Sequence, residues 1–414
     1  MVSLRFRTGS DETGLLSLPW HEPLAEWPDE LCVRLPAGAH RHVVRFLHVG
    51  SHYVALKELP QRLAERELDI LGRLREEGLP AVTLIGIATG RTDSAGEPLE
   101  AVLMTRHLRY SLPYRALFTD VQHDGLRDRL VDALAVLLVR LHMAGFYWGD
   151  CSLNNALFRR DAGALRAYLV DTETSEFHPT LSDGQRRHDL DIASENTLGG
   201  LLDLEAEGLL DASVDPADIA LRVVDRYESL WAELTSVEEM PSSDLGRIHA
   251  RLQRLNELGF DTEEYELHAS DGIARFRPTV VEEGHHKRAL MRLTGIEAHE
   301  NQARRLLSAM RGYGAWLAQT EGEVLPEGVM AFRWMTERWK PALDMIPAEL
   351  RSRLEDAELY HQILEHNWYL AEQADAEVPL AVAVQSYIDT VLSRRADEQA
   401  VLPVGHLAGQ PPAD

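Results

Sequence analysis

The segment YWGDCSLNNALF, residues 147–158, places one aspartate and two asparagines between two apolar stretches. The helix pattern DRLVDALAVLLVRLHMAG (128–145) runs directly into it, and the hairpin pattern NALFRRDAGALRAYLVDTET follows, turning at residues 161–163. Carboxylate and amide groups in such a loop either shape a turn or handle protons and metal ions. The rest of the chain has to decide between these two interpretations.

The composition is that of an ordinary globular protein. With 414 residues, the chain is long enough for two domains with separate cores. The net charge of −25 opposes binding to nucleic acid or to anionic membrane surfaces. No stretch has the pattern of a secretory signal or a membrane span, and two cysteines do not suggest a disulfide framework. The sequence therefore predicts a cytoplasmic protein.

Lysine is rare in this chain, since only three of the 42 basic residues are lysines. A lysine retained among so many arginines suggests a position that needs a compact ammonium group. Lys57 ends the strand pattern HYVALKEL (52–59), directly before the helix pattern QRLAERELDILGRLREEG (61–78). Three strands are predicted within 31–59, and AVTLIGIATG and EAVLMTRHL predict two more.

The order of these features resembles the protein-kinase-like fold. A strand lysine, a helix glutamate, a buried helix, a loop with Asp-x-x-x-x-Asn and a hairpin ending in aspartate follow one another along the chain. The resemblance is in particular to the lipopolysaccharide kinase family, which phosphorylates sugars, with aminoglycoside phosphotransferase-like enzymes as cousins. It covers roughly residues 25–205. It implies ATP and Mg²⁺ as cofactors.

The resemblance implies a nucleotide site in the β-rich part. Lys57 of VALKEL would position the phosphates, and Glu67 of AEREL would hold it, with Glu65 as a rival. The segment LPAGAHRH would form the loop that covers the phosphates, with Gly38 as its one glycine.

The resemblance also implies roles for the polar residues of the central loop and the hairpin. Asp150 would be the catalytic base, and Asn155 and Asp171 would be Mg²⁺ ligands, because hard oxygen ligands suit this ion. Glu173, two residues further along an extended chain, is an additional candidate ligand. Asp189 of RRHDLDIASEN would brace the catalytic loop.

The acceptor is expected to be a hydroxyl of a small molecule or sugar. Only 17 residues separate Asp171 from Asp189, which leaves no long activation segment for docking a peptide. Trp148 stands where these families commonly have histidine, and Thr172 and Glu173 follow Asp171 in place of Phe-Gly. The alternative is therefore a nucleotide-binding pseudokinase scaffold whose helical C-terminal domain binds a partner.

The second half of the chain predicts a different architecture. A hairpin around residues 271–272 precedes four long helix patterns, and this part is similar to a mainly helical domain of unknown function in actinobacterial proteins. The expected fold class is α+β. A bilobal kinase-like domain (1–236), with a β-rich N-lobe and a mainly helical C-lobe, precedes a mostly α-helical accessory domain (237–398) and a disordered tail (399–414).

This second half also contains a rival metal motif. Glu358, His361 and Glu365 fall at i, i+3 and i+7 on one helical face. Glu-x-x-His is a di-metal carboxylate signature when it occurs twice in a bundle, but within the four long helix patterns it occurs once. A solvated or intrahelically paired face is the favoured interpretation.

Overall fold

The computed structural model describes most of the chain in two compact units. The described residues are 2–6, 13–33, 41–50, 52–119, 126–236, 238–241, 246, 250, 251, 253–255, 264–270, 273–279, 284–322 and 324–395. The first unit contains the described residues up to Phe158 and from Ala167 to Tyr227, and the second contains Arg159–Arg166 and those from Glu228 onward. Gly38 and the tail 399–414 lie outside the described residues. The domain boundaries at 236 and 398 stay predictions.

The first unit contains a five-stranded antiparallel sheet. Its strands are β1 (Ser3–Phe6), β2 (Val43–Val49), β3 (His52–Leu59), β4 (Thr83–Thr89) and β5 (Ala101–Arg106), in the order β1-β4-β5-β3-β2. Alternation along β3 buries Val54 and Leu56 in the core on one face and leaves Ala55 and Lys57 on the other. Of the strand predicted at the start of 31–59, Val33 makes an isolated bridge with Phe46, and residues 34–40 lie outside the described residues.

Helix α1 (Gln61–Glu76) follows β3 directly. Its buried face repeats at helical spacing through Ala64, Leu68, Leu71 and Leu74, and it also includes the carboxylate of Glu67. The apolar stripe therefore determines which helix glutamate points inward.

The rest of the first unit is mainly helical. It contains α2 (Tyr114–Thr119), α3 (Leu126–Met143), α4 (Asp183–Ala206) and the part of α5 (Pro216–Thr235) up to Tyr227. Helix α3 is buried along most of its length, and a capping box at Ser182 starts α4. Short strands β7 (Phe146–Tyr147) and β10 (Glu176–Phe177) pair antiparallel. Strands β6 (Ser111–Leu112), β8 (Ala156–Asp161) and β9 (Ala164–Leu169) form a sheet in the order β6-β8-β9, and the end of β8, the turn and the start of β9 are the residues Arg159–Arg166 counted with the second unit.

The second unit combines a small sheet with a helical core. Strands β11 (Glu238–Pro241), β12 (Glu264–Ser270) and β13 (Ile273–Thr279) are ordered β11-β13-β12, and β12 pairs with β13 as the hairpin pattern predicted. The helices are α6 (His285–Thr294), α7 (Glu300–Thr320), α8 (Glu327–Trp334), α9 (Lys340–Asp344), α10 (Ala348–Arg351), α11 (Asp356–Ala374) and α12 (Leu380–Thr390). A π-helical turn, Met335–Trp339, joins α8 to α9.

One predicted helix of this unit is wrong. The pattern over 347–373 predicts a single helix, but the chain forms α10 and α11 with a break between them. Leu354 in the break is buried in the core, and Glu355 takes an extended conformation before α11 begins. Burial of Leu354 thus accompanies the interruption that the periodicity did not indicate.

The rival metal motif has another use within the second unit. Glu358 is buried, and its Oε2 atom accepts hydrogen bonds from the Ala162 backbone N–H and from Gln302 Nε2, both at 3.0 Å. His361 Nε2 lies 3.3 Å from Glu365 Oε1 in an intrahelical pair. The described part of the chain contains one group of side chains spaced to hold a metal ion, and this group does not include the motif. A solvated face is the wrong interpretation for Glu358, and an intrahelical pair is present at His361.

Candidate functional site

The ammonium group of Lys57 lies between two carboxylates. Its Nζ atom is 2.8 Å from Glu67 Oε1 on α1 and 2.9 Å from Asp171 Oδ2, which follows β9. Glu173 Oε2 is 3.9 Å away. The rival Glu65 is exposed and pairs with Arg5, so Glu67 is the helix residue that contacts the lysine. The tertiary structure thus brings a strand, a helix and a hairpin end to one point.

The charged groups around Lys57 shift one another's pKa values. Burial disfavours the charged form of Lys57, but the carboxylates of Glu67 and Asp171 outweigh it and raise the pKa of this lysine. Burial also raises the pKa of Glu67 to about 7; Lys57 opposes this shift, and the charges of Asp171 and Glu173 add to it. Ligand oxygens of Glu67, Asp171 and Glu173 all lie within 4.8 Å of one another. Three carboxylates this close together attract a cation, and Lys57 supplies one positive charge among them.

The loop of Asp150 is shaped by its asparagines. Residues 153–155 form a 3₁₀ turn, and Ser152 caps it by accepting the Asn155 backbone N–H through Oγ at 3.2 Å. Asn155 Nδ2 donates to Asp150 Oδ2 at 3.0 Å and to the Asp150 carbonyl at 3.1 Å. Asn196 Nδ2, on α4, donates to Asp150 Oδ1 at 3.3 Å. The exposed carboxylate of Asp150 is thus held from both oxygens.

Asp189 ties this loop to the helical part of the first unit. Its buried carboxylate accepts the backbone N–H groups of Trp148 at 2.7 Å and Gly149 at 2.8 Å. His142 Nε2 lies 3.1 Å from the same carboxylate, and His142 Nδ1 lies 2.7 Å from the Tyr227 hydroxyl. Gly149 has φ +77, and a Cβ there would come within 2.9 Å of the Thr174 carbonyl oxygen, so this approach requires glycine.

A backbone hydrogen bond at the base of the β8–β9 hairpin keeps Asn155 close to Asp171. The Val170 backbone N–H donates to the Asn155 carbonyl at 3.0 Å, directly before Asp171. Asp171 Oδ1 accepts the Glu173 backbone N–H at 3.0 Å. His42 Nε2 lies 3.0 Å from Glu173 Oε2 and Arg41 Nη1 lies 4.0 Å from Glu173 Oε1, so Glu173 has two basic neighbours besides Lys57.

These side chains line one cavity of about 250 Å³. The structure brings together on its wall six of the predicted site residues: Lys57, Glu67, Asp150, Asn155, Asp171 and Glu173. Apolar side chains, among them Val44, Ala55 and Leu103, line the same cavity. Asp189 does not line the cavity but binds the backbone N–H groups of the loop that precedes Asp150. An apolar surface beside a cluster of charged groups suits a ligand that carries both a ring and phosphates.

Sequence reasoning missed three residues of this site: His42, His142 and Asn196. Asn196 follows Asp189 by seven residues, two helical turns along α4, so helical spacing alone points to it as a neighbour of the same loop. His142 lies at the end of the apolar helix pattern, where a buried histidine needs a polar partner. His42 has no comparable signal in the sequence.

Fold and site define the class of the first unit, which is a protein-kinase-like domain. Residues 39–197 match the lipopolysaccharide kinase (Kdo/WaaP) family, and residues 229–392 match a domain of unknown function, DUF4032. The predicted α+β fold class and the predicted order of these two parts are confirmed. The family match supports a kinase-like phosphotransferase.

The chain also matches solved structures. A structure described as WaaP in complex with acyl carrier protein is 18% identical, with a TM-score of 0.34, covering 55% of this chain and 89% of that chain. No curated protein matches the sequence. Among the helices in the described ranges, none is long and apolar enough to cross a membrane. The cytoplasmic location and the partner of the second domain stay predictions.

Proposed function

We propose that this chain is an ATP- and Mg²⁺-dependent phosphotransferase that acts on a hydroxyl of a small molecule or sugar. One observation carries the proposal. Lys57 Nζ lies within 2.9 Å of both Glu67 and Asp171, in a cavity that Asp150 and Asn155 also line. Phosphoryl transfer depends mainly on positioning and on neutralising charge, and these residue types supply both.

The donor atoms at the cavity fit Mg²⁺. Asp171 and Glu173 offer carboxylate oxygens, and Asn155 donates through Nδ2 to Asp150, which leaves its amide oxygen as a ligand atom. When bound, the ion would neutralise negative charge on the phosphates. Lys57 would contact the phosphates from the other side, held by Glu67.

Asp150 is proposed as the general base. The acceptor hydroxyl would give its proton to the Asp150 carboxylate while its oxygen attacks the terminal phosphorus, and ADP would leave. The amide N–H groups of Asn155 and Asn196 hold the carboxylate in one orientation before the acceptor arrives. This preorganisation favours attack along one line.

The chain after Asp171 supports a small acceptor. Glu176 and Phe177 already pair with β7, and α4 begins at Asp183. Little chain is left between these elements to form a platform for a polypeptide substrate. The sugar acceptors implied by the family resemblance are small enough to need no such platform.

The test compares wild type with Asp150→Asn and with Asp203→Asn, an exposed residue of α4 outside the cavity. ATP turnover is measured with the protein alone and with a metabolite extract, and ATP affinity is measured by calorimetry. Asp150→Asn should lose about 10²–10⁴-fold in turnover. Its ATP affinity should stay close to that of wild type, because the base contacts the acceptor and not the nucleotide.

Each other outcome has a defined meaning. Turnover that survives Asp150→Asn unchanged refutes the base assignment. Absence of turnover in wild type with intact ATP binding supports the pseudokinase scaffold instead. Absence of ATP binding with Mg²⁺ refutes both the enzyme and the scaffold.

A further inference from the structure

The second unit contains a cleft that the proposed phosphotransferase site does not use. It has a volume of about 480 Å³, within the range of small-molecule sites. Four aromatic rings line it together with three polar side chains: Tyr313, Trp316, Trp334, Tyr360, Arg338, Asn367 and Glu377. Trp334 and Tyr360 are buried behind the wall, and the surface of the cleft is shared between polar and apolar atoms, which suits an organic ligand that carries a charged group.

Two residues that line this cleft stand out in the local structure. Gly312 stands on the face of α7 that lines it, and a Cβ built there would meet no atom within 4 Å. Arg338 comes from the π-helical turn Met335–Trp339, and such turns frequently occur at functional sites.

Arg338 lies over two aromatic rings, with the carboxylate of Glu337 near enough to interact with its charge. Its guanidinium carbon lies 5.4 Å from the centre of the Tyr313 ring and 5.3 Å from that of Trp316, and these two rings stack with centres 5.9 Å apart. Within the described residues it makes no hydrogen bond and no ion pair. Arg333, nearby on the same helical segment, instead pairs with Glu321 and Glu337. The N–H groups of Arg338 are thus available to a ligand.

The position of this arginine selects the charge of the ligand. Aromatic rings alone would suit an organic cation, but here a guanidinium already lies over Tyr313 and Trp316 and would repel one. A guanidinium with unused donors matches a carboxylate or phosphate in a two-point contact. Glu377 at the cleft and the net charge of −25 disfavour a doubly charged anion.

We infer that this cleft binds a small organic monoanion, a carboxylate carried on a planar ring. The carboxylate would contact Arg338. The ring would lie against Trp316, whose side chain is 44% exposed and offers a surface for stacking. Asn367 and Glu377 would contact polar substituents of the ligand.

The test uses three naphthalene probes and isothermal titration calorimetry on the full chain. 2-Naphthoate carries the monoanion, 2-naphthamide is its neutral analogue and 2-naphthyl phosphate is the dianion. Naphthoate should bind wild type at least about tenfold more tightly than naphthamide, because charge-assisted hydrogen bonds are the stronger ones. Excess ATP should leave naphthoate binding unchanged, which separates this site from the phosphotransferase cavity.

Three variants locate the site. Arg338→Gln should weaken naphthoate binding by at least about tenfold. Gly312→Leu should fill the cleft and abolish binding while keeping the thermal unfolding curve, because the added side chain has space and leucine favours a helix. Gly328→Leu, another helical glycine with open space that does not line the cleft, is the matched control and should bind like wild type.

The inference is overturned by equal binding of naphthoate and naphthamide, or by Arg338→Gln or Gly312→Leu variants that bind like wild type. Absence of naphthoate binding up to about 1 mM, or tighter binding of naphthyl phosphate, also overturns it.

Discussion

Asp189 is the residue whose replacement tests most directly how the loop of Asp150 is held. Its fully buried carboxylate accepts three hydrogen bonds, from the backbone N–H groups of Trp148 and Gly149 and from His142. Asparagine keeps one acceptor oxygen but turns an NH₂ group toward a backbone N–H. The replacement Asp189→Asn therefore removes one or two hydrogen bonds to a charged acceptor.

The expected loss follows from these contacts. A hydrogen bond to a charged group contributes about 1.5–3 kcal/mol, so the free energy of unfolding should fall by about 2–5 kcal/mol. For a unit of 150–250 residues, each kcal/mol lowers Tm by about 2–4 °C, which gives a fall of about 4–20 °C. Because Trp148 and Gly149 directly precede Asp150, phosphoryl transfer should also decrease.

The assay is thermal unfolding followed by circular dichroism, with ATP turnover measured below the transition. Asp191→Asn is the matched control, since Asp191 lies on the same helix and is exposed. This control should remain within about 0.5 kcal/mol of wild type. If Asp189→Asn has the same Tm as Asp191→Asn, the Asp189 carboxylate does not hold the loop and the reasoning is refuted.

Two further predictions concern a buried carboxylate and a half-buried histidine. Glu358→Gln should lower the free energy of unfolding of the second unit by about 1.5–3 kcal/mol, because the Ala162 N–H loses its charged acceptor. The control Glu365→Gln replaces an exposed residue of the same helix and should change this free energy little. Equal midpoints of urea unfolding for the two variants would contradict this prediction. Burial lowers the pKa of His107 to about 4, below its ordinary value near 6.5. Between these two values the folded state binds fewer protons than the unfolded state, so the free energy of unfolding of wild type should fall by up to about 3 kcal/mol as the pH decreases from 6.5 to 4. His107→Phe should lose less stability between pH 7 and pH 4.5 in urea unfolding, and an equal loss would show that another group is responsible.

The sequence alone determined the parts of the site that depend on local pattern. Lys57 at the end of a strand, Asp150 and Asn155 in one loop, and Asp171 at the end of a hairpin are recognisable because each lies within a short segment of defined periodicity. The sequence left both Glu67 and Glu65 as candidate partners of Lys57. The apolar stripe of α1 places Glu67 on the buried face of the helix. Short-range spacing determines which face a side chain takes, and this information is present in the sequence.

Only the tertiary structure decided how these segments meet and which groups hold them. The contacts of Asp189 with Trp148 and of His142 with Tyr227 join residues 41 and 85 positions apart, and no local pattern specifies such a pair. Glu358 has the spacing of a metal ligand, but its burial beside Ala162 and Gln302 makes it a hydrogen-bond acceptor. The physical reason is that a buried polar group must be satisfied by whatever neighbour the packing brings to it, and packing depends on the whole chain.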